Sequence, residues 1–333
     1  MKHQILALAV AALSFTACTN EDNISQDFLA DTPIKLNVSV DEPTTRAGYS
    51  NEDKPTGFVL EVVHSNKETD KYNYSVLAEL EGENWKTYDL TQYLTDGTKK
   101  EVTMLWANMN ANVVVSAISD VDYYAAAGPE ISNHPTNQTT LAALKKADFL
   151  AMPRTVVYPT QSGINVGFKH TMSKINLTIE LGSEYEFTKE DVDTKITDVK
   201  IDGSKIKAYY YIDFSTQNPQ FRFYGHSGAP TPITPYRTGT TPYSKTNGVI
   251  TKAKATYEAI LIPQTITSGN FTVSFKVDGK LYEWTYNKDL TLDPSTAYTL
   301  KLIAGNDKVQ PASFSVAAWN PGNGTDGEKK ETD

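Results

Sequence analysis

The chain reads as an all-β protein, two β-sandwiches in tandem with short helical turns. Three observations carry that reading. Thr, Val, Tyr and Ile are abundant, 19 Gly and 16 Pro punctuate short apolar runs, and several runs alternate apolar and polar residues with the period of two that one-sided burial of a strand requires. Removing a short leader from the 333 residues leaves enough chain for two domains, each with its own core.

The elements follow in chain order. Residues 1–18, MKHQILALAVAALSFTAC, have a basic start at Lys2, an apolar stretch from Ile5 to Phe15, and small Thr16 and Ala17 before Cys18. That stretch is too short to span a bilayer and has the three-part form of an export signal. Cys18 is the one cysteine of the chain; its position reads as a bacterial lipoprotein leader, with lipid attached at the thiol as the membrane anchor. No intrachain disulfide is possible, so stability rests on apolar burial and sheet hydrogen bonds.

Residues 19–46 form a propeptide holding the first strand. Ile34, Leu36, Val38 and Val40 alternate with Lys35, Asn37 and Ser39, which puts every apolar side chain on one face that has to be buried. The loop after it, EPTTRAGYSNEDKPTG, is broken by Pro43, Gly48 and Pro55 and leaves Arg46 exposed. Residues 47–162 form the first sandwich, with strands expected at 57–64, 72–78, 102–107 and 113–118 and a short helix within 139–149, where Leu141, Leu144 and Phe149 fall near helical spacing. Residues 163–319 form the second: GINVGFKH, SKINLTIELG, ITDVKIDG and KAYYYIDF, a Pro/Gly/Thr-rich surface loop over 225–248, then strands at 255–262, 271–277, 280–286, 297–303 and 312–319. The polar tail 320–333 lacks alternation.

Catalytic chemistry finds no scaffold in this pattern. His3, His64, His134, His170 and His226 stand far apart with no second cysteine, so no metal or other cofactor is expected. No G-x-S-x-G elbow and no glycine-rich phosphate loop occurs. His170 lacks a local acid partner and reads as a capping or core histidine. Glu190, Asp191 and Asp193 read as a solvated turn rather than a calcium loop. Tyr282, Trp284 and Tyr286 share a strand face, as in a cross-strand core ladder; Tyr209, Tyr210 and Tyr211 alternate faces. A formal charge of −9 argues against nucleic acid. Arginine is scarce: 31 basic residues include only Arg46, Arg154, Arg222 and Arg237, and of these Arg46 and Arg237 fall in expected loops.

Taken together, the leader cysteine, the isolated first strand, the TTRAG loop, the central FKHTMSKINLTIEL and the late AYTLKLI and SFSVAAWNPG segments resemble the fimbrillin family of Bacteroidetes type V pilins over nearly the whole chain. Phe168, His170 and Lys174 carry the most specific match. The resemblance implies two transthyretin-like β-sandwiches, no enzymatic activity, and a fimbrial subunit that assembles with other pilin subunits in cell adhesion. It also implies that an arginine-specific protease cuts the Arg46–Ala47 bond, excises the strand with Ile34, Leu36, Val38 and Val40, and that a partner's strand replaces it. The strand with Phe314, Val316 and Ala318 is the candidate donor, or else completes its own sandwich. TNEDN after Cys18 resembles the surface-export signal of Bacteroidetes lipoproteins, implying an outer-membrane, cell-surface location. The alternative is a lipoprotein that keeps its anchor and binds a glycan or host protein through loops such as 225–248; a hydrolase is the weakest reading.

Overall fold

Period-two alternation becomes strand almost wherever it occurs in this chain. A computed structural model describes residues 30–40, 49–50, 52–64, 71–119, 130–131, 133–213, 220–305 and 308–318. The first half runs Leu36–Val40 (β1), Gly57–His64 (β2), Tyr74–Glu81 (β3), Asn84–Asp89 (β4), the helix Leu90–Asp96 (α1), Val113–Ile118 (β5), Glu130–Ile131 (β6), the helix Leu141–Ala147 (α2), Leu150–Val157 (β7) and Ile164–His170 (β8). The second continues with Ser173–Leu181 (β9), the helix Lys189–Lys195 (α3), Ile196–Asp202 (β10), Lys207–Asp213 (β11), Gln220–Ser227 (β12), Tyr236–Thr241 (β13), Ser244–Thr246 (β14) and Val249–Thr251 (β15). Lys254–Leu261 (β16), Thr265–Ile266 (β17), Phe271–Val277 (β18), Lys280–Tyr286 (β19), Leu290–Thr291 (β20), Thr296–Ala304 (β21) and Val309–Ala318 (β22) complete it.

Seven strands form the first sheet in the order β1-β8-β7-β5-β2-β3-β4. One face gathers Val38, Val40, Phe58, Leu60, Val115 and Phe168 into a single core; the other lays Val59 and Leu77 against Leu90 of α1. The expected strand 102–107 is instead an extended segment with isolated bridges at Glu101 and Leu105. Its hydrogen bonds are divided: Val102 donates to Thr87 at one end, and Trp106 donates to Thr32 at the other, so no continuous ladder forms. Trp106 is nonetheless wholly buried in the first core.

The second half stacks a five-stranded sheet, β13-β16-β9-β21-β22, on a three-stranded one, β10-β18-β19. Ile175, Leu177 and Ile179 of β9 face Phe271, Val273 and Phe275 of β18 across this core. The sequence suggests a break before residue 163, yet β8 pairs with β1 and β7 in the first sheet. Only Thr171 and Met172 separate β8 from β9, so the chain changes sheets there. A further apolar cluster, with Phe149, Met172, Tyr210 and Ile260, draws on both halves.

Two helices were not expected. Glu190, Asp191 and Asp193, read as a turn, lie in α3, which forms because Thr188 and Asp191 make a reciprocal capping box that satisfies amide groups a short helix leaves open. Asp89 caps α1, which ends at Gly97 with φ of 76°. Nor is 225–248 one surface loop: β12 reaches Ser227, and β13 and β14 lie within the rest, because Tyr236–Thr241 finds a partner in β16. The helix expected within 139–149 is α2, capped by Thr140.

Ionisable groups are buried at the sheet change. Lys174 of β9 is wholly enclosed, its Nζ 3.6 Å from Glu258 Oε2 of β16. Burial pushes the lysine's pKa down and the glutamate's up. Removing one partner of a buried pair strands the other, whereas removing both is tolerated. Lys174→Met is therefore expected to cost roughly 3 kcal/mol or more, and adding Glu258→Met to recover most of it, as measured by urea unfolding; a double variant as unstable as the single would contradict this.

His134 gives the acid side of stability. Its Nε2 lies 2.7 Å from the Ile260 carbonyl, and burial pushes its pKa down to about 4. The folded chain thus binds fewer protons than the unfolded one between pH 6.5 and 4. The stabilisation is complete above 6.5 and is lost as pH falls through that window, by up to roughly 3 kcal/mol. Burial lowers the pKa values of His64 and His226 too, adding in the same direction. Thermal midpoints should fall from pH 6.5 to 4, and less steeply for His134→Gln; a flat profile in the wild-type chain would contradict the assignment.

Candidate functional site at the first and last strands

β1 is an edge strand that completes a core. Among the described strands it pairs in parallel with β8, Leu36 opposite Ile164, Val38 opposite Val166 and Val40 opposite Phe168. Ile34, Val38 and Val40 are buried and Leu36 half-buried, as the alternation predicts. Burial of three such side chains corresponds to roughly 5 kcal/mol or more before ordering costs. The residues before β1 are tied to the extended segment: Ile34 donates to Met104 at 2.8 Å and Asp31 to Trp106 at 2.9 Å, while the Tyr72 hydroxyl donates to Asp31 Oδ1 at 2.8 Å.

Sequence reasoning missed Gly163. It adopts φ of 86°, and a Cβ there would run into the Lys35 carbonyl and side chain. Ile164 N–H then donates to that carbonyl at 2.8 Å. Only glycine combines this backbone with such close approach, so Gly163 shapes the seat of β1. A glycine in a T-x-S-G turn before an alternating strand was the available signal.

β22 is the edge strand at the other end of the molecule's strand order. It pairs antiparallel with β21, Leu300 opposite Phe314 and Tyr298 opposite Val316. Phe314 is half-buried, its ring 5.1 Å from Tyr286 and 6.3 Å from Tyr298. Val316 is 42% exposed, and Ala318 ends the strand. The candidate donor residues thus sit in their own sandwich, with one strand edge outward.

The motif residues 168–174 serve packing. Phe168 meets Phe58 edge-on at 5.3 Å, Lys174 pairs with Glu258, and His170 Nδ1 lies 2.9 Å from Asp148 Oδ1. His170 therefore has an acid partner that its local sequence lacked, but neither side chain has exposed surface, so no substrate reaches it. Tyr282 stacks on Phe275 at 5.6 Å and Trp284 meets Phe271 edge-on at 6.4 Å, a core ladder rather than a glycan platform. Tyr210 is buried and Tyr209 pairs with Tyr224. Among the described residues, no three His, Cys, Asp or Glu are grouped to hold a metal ion, and no helix is long and apolar enough to cross a membrane.

The arginines divide sharply. Arg154, Arg222 and Arg237 lie in β7, β12 and β13. Arg237, expected in a loop, is clamped: it donates to Ile196 O at 2.6 Å, Tyr257 Oη at 2.7 Å, Asp193 Oδ1 at 3.1 Å and Val192 O at 3.2 Å. Lys189, Thr240 and Arg237 together hold the Asp193 carboxyl down at about 2. Cys18, Arg46 and Ala47 lie outside the described residues; Arg46 and Ala47 fall between β1 and Tyr49.

Among solved structures, a candidate cell adhesion protein from Bacteroides ovatus is 12% identical over 86% of this chain and 97% of that one, with a TM-score of 0.51. Another from Bacteroides uniformis is 15% identical over 86% and 98%, TM-score 0.49. A fimbrial protein from Bacteroides vulgatus is 13% identical over 86% and 99%, TM-score 0.45. At these identities the B. ovatus likeness is one of fold. No curated protein sequence matches. The sequence profile described as fimbrillin-like matches residues 45–319, and by that match the chain belongs to the fimbrillin-like family, as a structural pilus or adhesin subunit and not an enzyme.

Proposed function

We propose that the chain is a fimbrial subunit exported as a lipoprotein through Cys18, cut after Arg46 by an arginine-specific protease, and joined to other subunits when a partner's strand takes the place of β1. The observation that carries this reading is β1 itself: among the described strands it stands at the sheet edge, paired to β8, yet it supplies Val38 and Val40 to the first core. Its loss would uncover apolar side chains and leave backbone groups of β8 unpaired, and an added strand satisfies both needs. The family match begins at residue 45, just beyond β1, which fits a first strand that is set apart from the mature body. β22 is the candidate donor, since its Phe314 and Val316 alternate like the residues of β1 and, among the described strands, it is hydrogen-bonded to β21 at one edge of its sheet. In this reading the precursor is anchored in the outer membrane by lipid, and the mature subunit lies in a surface fimbria that supports adhesion.

Proteolysis separates the arginines. Limited digestion of the folded precursor with an arginine-specific protease should cut after Arg46 before any other arginine, since Arg237 would have to break four hydrogen bonds to enter a protease cleft. N-terminal sequencing should return Ala47 as the first new terminus. Arg46→Ala should stay monomeric by size-exclusion chromatography after protease treatment, because a tethered strand has an effective concentration of about millimolar. Polymers formed equally by Arg46→Ala would overturn the mechanism.

Gly163→Ala tests the seat of β1. It should cost about 1–3 kcal/mol through strain and the clash with Lys35, and speed amide exchange across 36–40 while β18 stays protected. Unchanged exchange in β1 would show that the strand is not held there.

A further inference from the structure

β14 and β15 form a two-stranded hairpin that extends past the paired ends of β13 and β16, where Thr241 stands opposite Lys254. It turns at Asn247 and Gly248, with φ of 52° and 81°, the pair of left-handed residues that a tight hairpin turn uses. Its base is fixed: Tyr243 N–H donates to Phe187 O at 2.9 Å and Leu181 N–H to Ala253 O at 2.8 Å. Beyond the base all six strand residues are exposed, Val249 at 69% and Ile250 at 46%. Two strands alone have no core, and apolar side chains held out on such an arm mark a contact surface. Directly opposed residues share a face, so Thr246 with Val249 and Ser244 with Thr251 make one face of the hairpin uncharged.

The first sandwich presents a second apolar patch. Val63 of β2, Val114 of β5 and Val156 of β7 stand opposite one another across three adjacent strands, and Val63 and Val156 are 42% and 53% exposed. Both patches lie at strand ends remote from the passage at Thr171 and Met172. Val156 is near the end of β7 away from Leu150, which pairs with His170. The hairpin leaves β16 at Lys254, opposite Glu180 near the far end of β9. Strand rise therefore puts each patch about 20 Å or more from the passage. Charge divides the halves as well: residues 47–162 hold 15 acidic and 9 basic side chains, residues 163–319 hold 15 and 17, and the segment 214–257, which includes the hairpin, has no Asp or Glu.

We propose that the hairpin face with Thr246, Val249 and Thr251 packs on the Val63, Val114 and Val156 row of a second copy, a head-to-tail contact between successive subunits. The inference rests on the fimbrial reading above and adds a second contact to strand exchange. A contact between two different patches leaves one of each free at the ends of every oligomer, so it extends a linear fibre. The row meeting its own copy would close at a dimer and leave the hairpin uncovered. Charge favours the head-to-tail arrangement, since two acidic halves repel while the hairpin brings the basic half to the acidic one. A hairpin this small covers less than the area a stable complex needs, so the contact acts where strand exchange already holds neighbours together.

Disulfide trapping tests it. Cys18 is the one cysteine of the chain and leaves with the propeptide, so the chain cut after Arg46 carries only introduced thiols. Val249→Cys combined with Val156→Cys, cut, assembled and oxidised, should give a ladder of disulfide-linked oligomers on a non-reducing gel, and neither single variant should. Val249→Asp and Val156→Lys should each raise the concentration needed for polymerisation about tenfold, as like charges meet across the contact, with unchanged thermal midpoints. The two together should restore much of the assembly, because the charges then attract. Polymers that form without the ladder and ignore the charge variants would overturn the contact and leave strand exchange standing. A ladder without non-covalent polymers upholds the contact and fails strand exchange, and neither polymers nor ladder overturns both. Dimers as the end product of Val156→Cys alone would show the row meeting itself and overturn the head-to-tail arrangement.

Discussion

The passage from β8 to β9 is the constraint on which both halves depend. Two residues, Thr171 and Met172, carry the chain from the first sheet into the middle of the second, and a backbone leaving one ladder for another must find other partners for its polar groups. Thr171 N–H donates to Phe149 O at 3.2 Å, Ser295 N–H to Met172 O at 3.0 Å, and Ser173 Oγ to Asp293 O at 2.7 Å. His170 with Asp148 and Lys174 with Glu258 hold the flanks. Polar groups buried in this way tolerate few alternative arrangements, so the junction sets where each sheet begins.

From that junction the candidate exchange site follows. β8 stands between β7, bonded near its end at Leu150 and Ala151, and β1, which takes its other edge from Ile164 to Phe168. β1 then completes a core whose other walls come from β2, β3 and β5. A strand that is thermodynamically part of a core yet topologically at its edge is suited to replacement: the remaining sheet keeps its own ladder, and the vacancy specifies what refills it by alternation and register.

Much of this was legible from alternation. The runs 57–64, 113–118, 271–277 and 280–286 are strands with the bounds expected, and the inward face of β1 is the one read from Ile34, Val38 and Val40. Local rules failed where the partner decides. Residues 102–107 alternate like a strand but divide their bonds between two neighbours. Thr188 to Lys195 is too short for helical periodicity, and its capping pair was the legible signal. Arg237 looked exposed among prolines and threonines, and becomes a clamped residue because β16 and the end of α3 flank it.

The sequence by itself determined the all-β class, the strand faces, the lone position of Cys18 and the scarcity of arginine, because these depend on residue type and on a spacing of two that any sheet must respect. Tertiary structure alone decided that β8 belongs to the first sheet and β9 to the second, that Asp148 and Glu258 answer His170 and Lys174, and that Gly163 seats β1. Those are pairings between residues 22 to 128 positions apart, as with Asp148 and His170 or Lys35 and Gly163; no local pattern encodes them, since which strand edge meets which is settled only when the competing burial of every apolar face is satisfied at once.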